Sequence, residues 1–593
     1  MPPTLRCIFR SRHWQSGLLL ILLVSLVRLV YLLWFCPYTL IEDEAHYWEW
    51  SRRLELSYYS KGPGIAWVIR ASTDLFGTSE WAVRLPAVLF SALGAFCAAG
   101  LARDIAKTRE GKLSSPHLTQ ENGLSSPQQT QEGGLSSPRN AIGLYAAAIY
   151  LAMPAFWVLG ILITIDGPYL ACWAAACWAA WRALTTGSLR AHAALGLALA
   201  AGFVFKYTVL LLVPGLLLAA WLAHRARRAS AEPSPPTPTK RSLSLPPLGL
   251  LLTLATASLG LLPVLLWNAQ HEWITIQHLL GHLGVKGGDI PPTPGESWSP
   301  LWTLELLGIQ VGLAGPAILL AVYAAVCAHR ERRTDPATWQ GARFLLCCGL
   351  PVLIFYILVS FLAEPEGNWP LAAWVSAAPL GALGITGAIP LYRERLAAWR
   401  DKGKPGVRPH MHRIMAWRWT IGAGVIVALG FARADLLAKL PVIGPLVPQG
   451  RLMFADVRAA DAARILDELR AETGLEPVVM AQHYGRTSQL AYYLPGRPTV
   501  YCAGASMEGP RKQYDLWPET ALSNPETHAS LLGRPALLVG GRFEQWVPAF
   551  ARVVEIGQLE GEHKKGRLIY LGYGYRGFPE TGGRAFQPAT LQT

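Results

Sequence analysis

Long apolar runs, each close to the length of a membrane-crossing helix, constrain this chain more than any other feature. A helix needs about 20 apolar residues to cross the hydrocarbon core of a bilayer. By that ruler the candidates are 17–36, 82–101, 141–160, 168–184, 193–206, 207–223, 247–267, 303–327, 343–362, 371–390 and 419–433. The expected fold class is therefore a polytopic α-helical membrane protein of about 11 to 13 membrane helices. Of the 593 residues only 16% are charged, against about 25% in soluble domains. The 23 Trp suit aromatic belts at the lipid headgroups.

The formal charge of +14 is spread between the apolar runs rather than gathered on one soluble domain. It therefore argues against nucleic acid as a partner and for basic cytoplasmic loops. Arg6, Arg10 and Arg12 precede the first run, and further clusters fall in 102–140, 224–246, 328–343 and 391–418. These all lie on one side if the helices alternate. The intervening 268–302 holds Lys286 alone, and 363–370 holds no basic residue. The expectation is a cytoplasmic N-terminus, an extracytoplasmic C-terminus and an integral plasma (inner) membrane location. The run 17–36 is too long for a signal-peptide core and lacks a small-x-small cleavage site, so it is read as an uncleaved first helix.

Two inner loops are expected to be disordered. One is an insert over 108–140 that repeats Leu-Ser-Ser-Pro from Leu113, Leu124 and Leu135; the other is the Pro/Ser-rich 229–247. Hydropathy changes near residue 434. The domain plan is thus a transmembrane region, 1–433, with a first outer loop at 37–81, followed by a soluble extracytoplasmic α/β domain, 434–593. In the latter, 456–472 has helical spacing, and 478–481, 499–502, 535–539 and 567–571 read as strands. The nine Cys show no metal or disulfide spacing and read as packing residues.

Unusual polar residues gather in the outer loops. Glu42, Asp43 and Glu44 stand together just past the first helix, where mutual repulsion raises carboxylate pKa values and one member can act as a general base; a solvated acidic loop is the alternative. Lys61, among Gly and Pro, suits either a lipid phosphate or nonspecific headgroup contact. Asp166 breaks an apolar region, as a functional charge or as a cap for the helix that follows. Lys206 is a second such charge. His271, His278 and His282 are better suited to interfacial hydrogen bonding than to a metal, and no metal site is assigned. Glu364, Glu366 and Asn368 can hydrogen-bond sugar hydroxyls or simply form a polar turn.

The run EDEAHYWEWSRRLELSYYSKGPGIAW resembles the first outer loop of membrane glycosyltransferases with the C-type fold. More narrowly it is similar to the superfamily of dolichyl-phosphate-mannose protein mannosyltransferases and aminoarabinose lipid A transferases. TIDGPYL, FKYT, WNAQHEW, EPEGNWP and SQLAYYLPGRP follow in the order that family shows. The resemblance implies a polyprenyl-phosphate sugar as donor and a lipid, glycan or protein as acceptor, met on the extracytoplasmic face with inversion at the anomeric carbon. It implies Asp43, with Glu44 beside it, and Asp166 as catalytic residues. Lys61, Lys206 and Tyr59 would hold the donor phosphate, and His46, His271, Glu366 and Asn368 would touch acceptor or sugar. Gly62 and Pro63 follow Lys61 where the family often has two prolines. No cofactor is implied, and the metal requirement stays open. Two other functions remain: a flippase for lipid-linked sugars, which requires paired repeats and charges near mid-membrane, and a non-catalytic scaffold, which does not require Asp43, Lys61 and Asp166 together.

Overall fold

The structure is a computed structural model that describes residues 12–113, 141–229, 247–282, 288, 299–386, 408–507, 509–562 and 567–579. The repeat expected to be disordered lies outside these residues from 114 onward, as do 230–246, Lys286 and the basic loop 391–407.

Among the described residues, seven helices are long and apolar enough to cross a membrane: Trp14–Trp34, Glu80–Thr108, Tyr207–Arg225, Pro247–Gln270, Pro336–Val359, Trp369–Thr386 and Met415–Ala432. Each coincides with a run read from the sequence. Lipid exposure explains their composition, since Leu22, Leu254 and Leu429 project outward with 60% or more of their surface uncovered.

Other runs are divided. The stretch 303–327, expected as one span, forms Pro300–Ala314 and Ala317–Arg330, bent by 93°. Gly315 at φ +60° ends the first helix and Pro316 begins the second. The stretch 141–160 breaks into Ile142–Ala152 and Pro154–Val158, because Met153 precedes a proline and is extended. Leu189–Phe205 stops at Lys206, which is extended before the 3-10 turn Tyr207–Leu211.

The chain groups into two compact units. The first comprises Met1–Tyr31, Ala87–Leu262 and Gly295–Phe431. Small residues bring its helices together: a Cβ on Gly196 would stand 1.9 Å from Thr256 Oγ1, so only glycine permits this approach. Arg28 lies inside the first span, 1% exposed. It donates to Ser91 Oγ at 2.5 Å and sits 4.4 Å from the centre of the Trp157 ring. The free cysteines Cys97, Cys172, Cys177, Cys347 and Cys348 are buried packing residues.

The second unit comprises Leu32–Pro86, Pro263–Pro294 and Ala432–Thr593. The region past residue 434 therefore does not close on itself alone; it shares one compact body with the first outer loop. Its elements are α1 (Glu42–Arg52), α2 (Gly64–Phe76), α3 (Ala455–Thr473), α4 (Tyr484–Tyr493) and five strands. The strands are β1 (Val478–Ala481), β2 (Tyr501–Cys502), β3 (Ala536–Val539), β4 (Phe550–Gly557) and β5 (Ile569–Tyr575), in sheet order β2-β1-β3-β5-β4. β1 is parallel to β2 and β3, while β5 runs antiparallel to β3 and β4. Met480, Ala536, Leu538, Trp546 and Tyr570 build the core on the sheet. β4 escapes the sequence reading because it is an edge strand whose side chains mostly face outward, so no buried alternation marks it.

Candidate active site

α1 carries the acidic triplet. Ile41 at its N-cap has no side-chain acceptor, so Glu44 reaches back and accepts the Ile41 N–H at 3.1 Å. Glu44 also takes two bonds from Arg84, at 2.9 Å from Nε and 2.6 Å from Nη2. Arg84 also donates to the carbonyls of Tyr38 and Thr39 and, at 3.6 Å, to Cys36 Sγ. Glu44 is 0% exposed. Both of its oxygens are engaged by the guanidinium. Glu44, expected as a catalytic neighbour of Asp43, is placed where it ties the start of α1 to Arg84.

Fixing that turn presents Asp43. Burial raises the Asp43 pKa, opposed by a hydrogen bond from Tyr484 Oη at 3.1 Å and by the charge of Lys61, with Glu42 adding to the rise and Arg451 opposing it. The net direction is upward. Glu42 behaves oppositely: burial pushes it up, but His483, Arg486 and Arg567 outweigh that and hold it low.

Lys61 closes a tight turn, its carbonyl accepting from Tyr58 N at 3.0 Å and Ser57 Oγ at 3.2 Å. The Gly62-Pro63 departure from the family pattern fits this backbone, because Pro63 caps α2 with φ −80°. Tyr59 is 2% exposed. Its N–H donates to Gln513 Oε1 at 2.7 Å, and its ring packs 4.6 Å from that of His278. Lys512 Nζ lies 5.9 Å from the Tyr59 ring and 5.8 Å from the Tyr484 ring, a further cation among these aromatic residues. Glu55 ties the pieces together by accepting from the indole N–H of Trp267 and, at 2.5 Å, from that of Trp517.

Two expected sugar contacts are committed elsewhere. His46 is 7% exposed, with Nε2 accepting from Trp50 Nε1 at 3.1 Å and Nδ1 3.1 Å from Ser488 Oγ. Burial, with Lys512 and His483 nearby, pushes its pKa down to about 3, so it is a neutral packing residue. His271 stacks on Trp267 with ring centres 3.9 Å apart, and its Nδ1 donates to the Trp267 carbonyl at 2.7 Å.

The first unit holds a separate cluster. Asp166 opens the helix Asp166–Thr186 and is 4% exposed. Lys206 Nζ donates to its Oδ1 at 2.7 Å and Asn368 Nδ2 to its Oδ2 at 2.8 Å. TIDGPYL, FKYT and EPEGNWP, far apart in sequence, thus converge on one carboxylate. Lys206 is bonded to a carboxylate rather than standing apart as a cation, and Glu366 is exposed.

Arg84, Tyr484 and Lys512 were missed by the sequence reading. Arg84 looks like one more interfacial arginine, and Tyr484 and Lys512 lie more than 400 residues from Asp43 with no spacing to link them. Among the described residues no group of three His, Cys, Asp or Glu side chains is placed to hold a metal ion.

The fold and its likeness to known proteins give the class: this chain is a membrane glycosyltransferase with the C-type fold. It is similar to the superfamily of dolichyl-phosphate-mannose protein mannosyltransferases and aminoarabinose lipid A transferases. The family model for dolichyl-phosphate-mannose-protein mannosyltransferase matches residues 60–119 and 138–237. Lipid A galacturonosyltransferase RgtD of Rhizobium johnstonii is 28% identical over 540 residues, covering 89% of this chain and 92% of that protein. The fold is that of ArnT from Cupriavidus metallidurans. Its apo crystal structure superimposes with a TM-score of 0.54 at 14% identity, over 93% of this chain and 97% of that one. The form bound to undecaprenyl phosphate gives 0.53 at 15% identity, with the same coverage.

Proposed function

We propose that this enzyme transfers a uronic acid of the galacturonic type from a polyprenyl phosphate to lipid A, on the extracytoplasmic face of the inner membrane. The sugar and the acceptor follow the likeness to the Rhizobium enzyme; the lipid carrier follows the superfamily and the undecaprenyl phosphate bound to ArnT. The sidedness rests on the basic loops read from the sequence.

Asp43 is the base. It takes the proton from an acceptor hydroxyl as that oxygen attacks the anomeric carbon. The bond from the anomeric carbon to the phosphate oxygen breaks, its electron pair stays with the polyprenyl phosphate, and configuration inverts. Lys61 offsets the charge that develops on the leaving phosphate. Asp166 orients Lys206, which it holds at 2.7 Å. The observation that carries this reading is the Asp43 carboxylate, desolvated and raised in pKa yet held by Tyr484 and within the field of Lys61.

The test is transfer in proteoliposomes containing lipid A and polyprenyl-phosphate galacturonic acid, followed by mass spectrometry of the lipid. Lipid A should gain one hexuronic acid residue, and D43N should slow the gain by about a hundredfold or more while the protein stays folded. Full turnover by D43N removes Asp43 from the mechanism. Transfer from an aminoarabinose or mannose donor in preference to the uronic acid overturns the sugar assignment.

A further inference from the structure

The soluble sheet carries a second concave site. β1 and β3 are parallel neighbours and end at one edge. Gln482 and His483 follow β1, Gly540 and Gly541 follow β3, and a cavity of about 480 Å³ lies beyond them. In open α/β sheets, ligands bind in the crevice past the carboxyl ends of parallel strands. Gly540 and Gly541 both have φ +76°, a conformation that suits glycine and leaves this wall bare backbone.

The walls are basic. Arg486, Arg542 and Arg567 line the cavity against Glu562. Arg486 is only 5% exposed. Its Nη2 pairs with Glu562 at 2.7 Å and its Nη1 donates to Gln489 at 2.8 Å, yet its buried Nε has no hydrogen-bond partner. A buried guanidinium N–H left unsatisfied is costly. The N-terminus of α4, capped by His483, opens beside it and adds partial positive charge.

Glu42 partly serves as the chain's own anion here. One of its oxygens lies 3.5 Å from Arg567 Nη1 and 4.0 Å from Arg486 Nε, distances too long for strong hydrogen bonds. Gly485 makes room for it, since a Cβ at that position would stand 2.6 Å from the Glu42 Cβ.

We propose that this cavity binds the phosphate of a phosphorylated sugar headgroup, which takes the place of Glu42 on Arg486 and Arg567, with Arg542 closing on the exposed side. Glu42 immediately precedes Asp43 in α1, so the arginines of this site contact the same helical turn that carries Asp43. The assignment of the headgroup to the acceptor rests on the function proposed above; the binding itself does not.

The test uses the full chain in phosphatidylcholine nanodiscs, without donor, and isothermal titration calorimetry. Glucosamine 1-phosphate should bind saturably, glucosamine should not bind, and inorganic phosphate should bind at least tenfold more weakly. R567Q and R542Q, both at exposed or half-exposed positions, should each weaken the phosphosugar at least tenfold. E42Q, which removes the internal competitor, should tighten it severalfold. Unchanged affinity in both arginine variants, or no binding of glucosamine 1-phosphate, overturns the proposal. Equal affinity for inorganic phosphate also overturns it, marking a site for free phosphate. Sugar transfer without phosphosugar binding would leave the transferase reading standing and remove only this one.

Discussion

Replacing Tyr484 with Phe removes one hydrogen bond to the Asp43 carboxylate and little else. The Phe ring keeps the packing against His46, whose ring centre is 4.7 Å away, and stays in place below Lys512. A hydrogen bond to a charged group contributes about 1.5–3 kcal/mol. The 3.1 Å separation places this one at the lower end. At 1.36 kcal/mol per pKa unit, the loss raises the Asp43 pKa by about one unit. The sign follows from chemistry: the phenol stabilises the ionised carboxylate, so without it the base stays protonated to higher pH. In the transfer assay, the acid limb of kcat/KM against pH should move up by about one unit in Y484F, while the alkaline plateau changes by less than about threefold. At a pH well below the wild-type limb, this amounts to about a tenfold loss. An unmoved limb would mean that Tyr484 does not bond the reacting carboxylate, or that Asp43 is not the base. An equal loss at every pH would give Tyr484 a role other than tuning Asp43.

Further outcomes follow from the same geometry. D43N should lower kcat by about 10²–10⁴-fold, the usual contribution of a positioned base, with donor KM little changed in initial-rate measurements. R84M leaves the Glu44 carboxylate buried without its cation and should cost about 3–5 kcal/mol, read as a large fall in the thermal midpoint of detergent-purified protein; a midpoint within a degree of wild type would refute the anchoring role. N368A takes one of two donors from Asp166 and should weaken transfer without changing the pH limb set by Asp43; a shifted limb would contradict that assignment. His46 has a folded pKa of about 3 against an ordinary 6.5. Its stabilising effect is therefore complete above about pH 6.5 and is lost as pH falls, by about 2 kcal/mol at pH 5. H46Q should flatten the dependence of unfolding midpoint on pH between 5 and 7, and an unaltered slope would show that His46 titrates freely.

Features set by local physics were legible in the order of residues alone. Apolar length set the membrane helices, because a span of hydrocarbon admits no unsatisfied backbone and so demands a continuous helix. Residues 478–481 and 535–539 showed themselves as strands through short β-branched and aliphatic runs. The outer loops stood out because charges near the membrane are rare unless used, and this drew attention to Asp43, Lys61, Asp166 and Lys206. Tertiary structure alone decided how each is used. Glu44 and Asp43 are neighbours in one acidic triplet, yet one faces Arg84 and the other Tyr484, a difference of helix face and distant partner that no local pattern encodes. Lys206 and Asn368 meet Asp166 only because three loops converge. Glycine and proline at 315 and 316 bend a run that hydropathy reads as one span. The arginine-walled cavity is assembled from strand ends and loops some sixty residues apart, with Glu42 reaching in from the other end of the sequence. Long-range pairing of charge has no period, so only the folded chain reveals it.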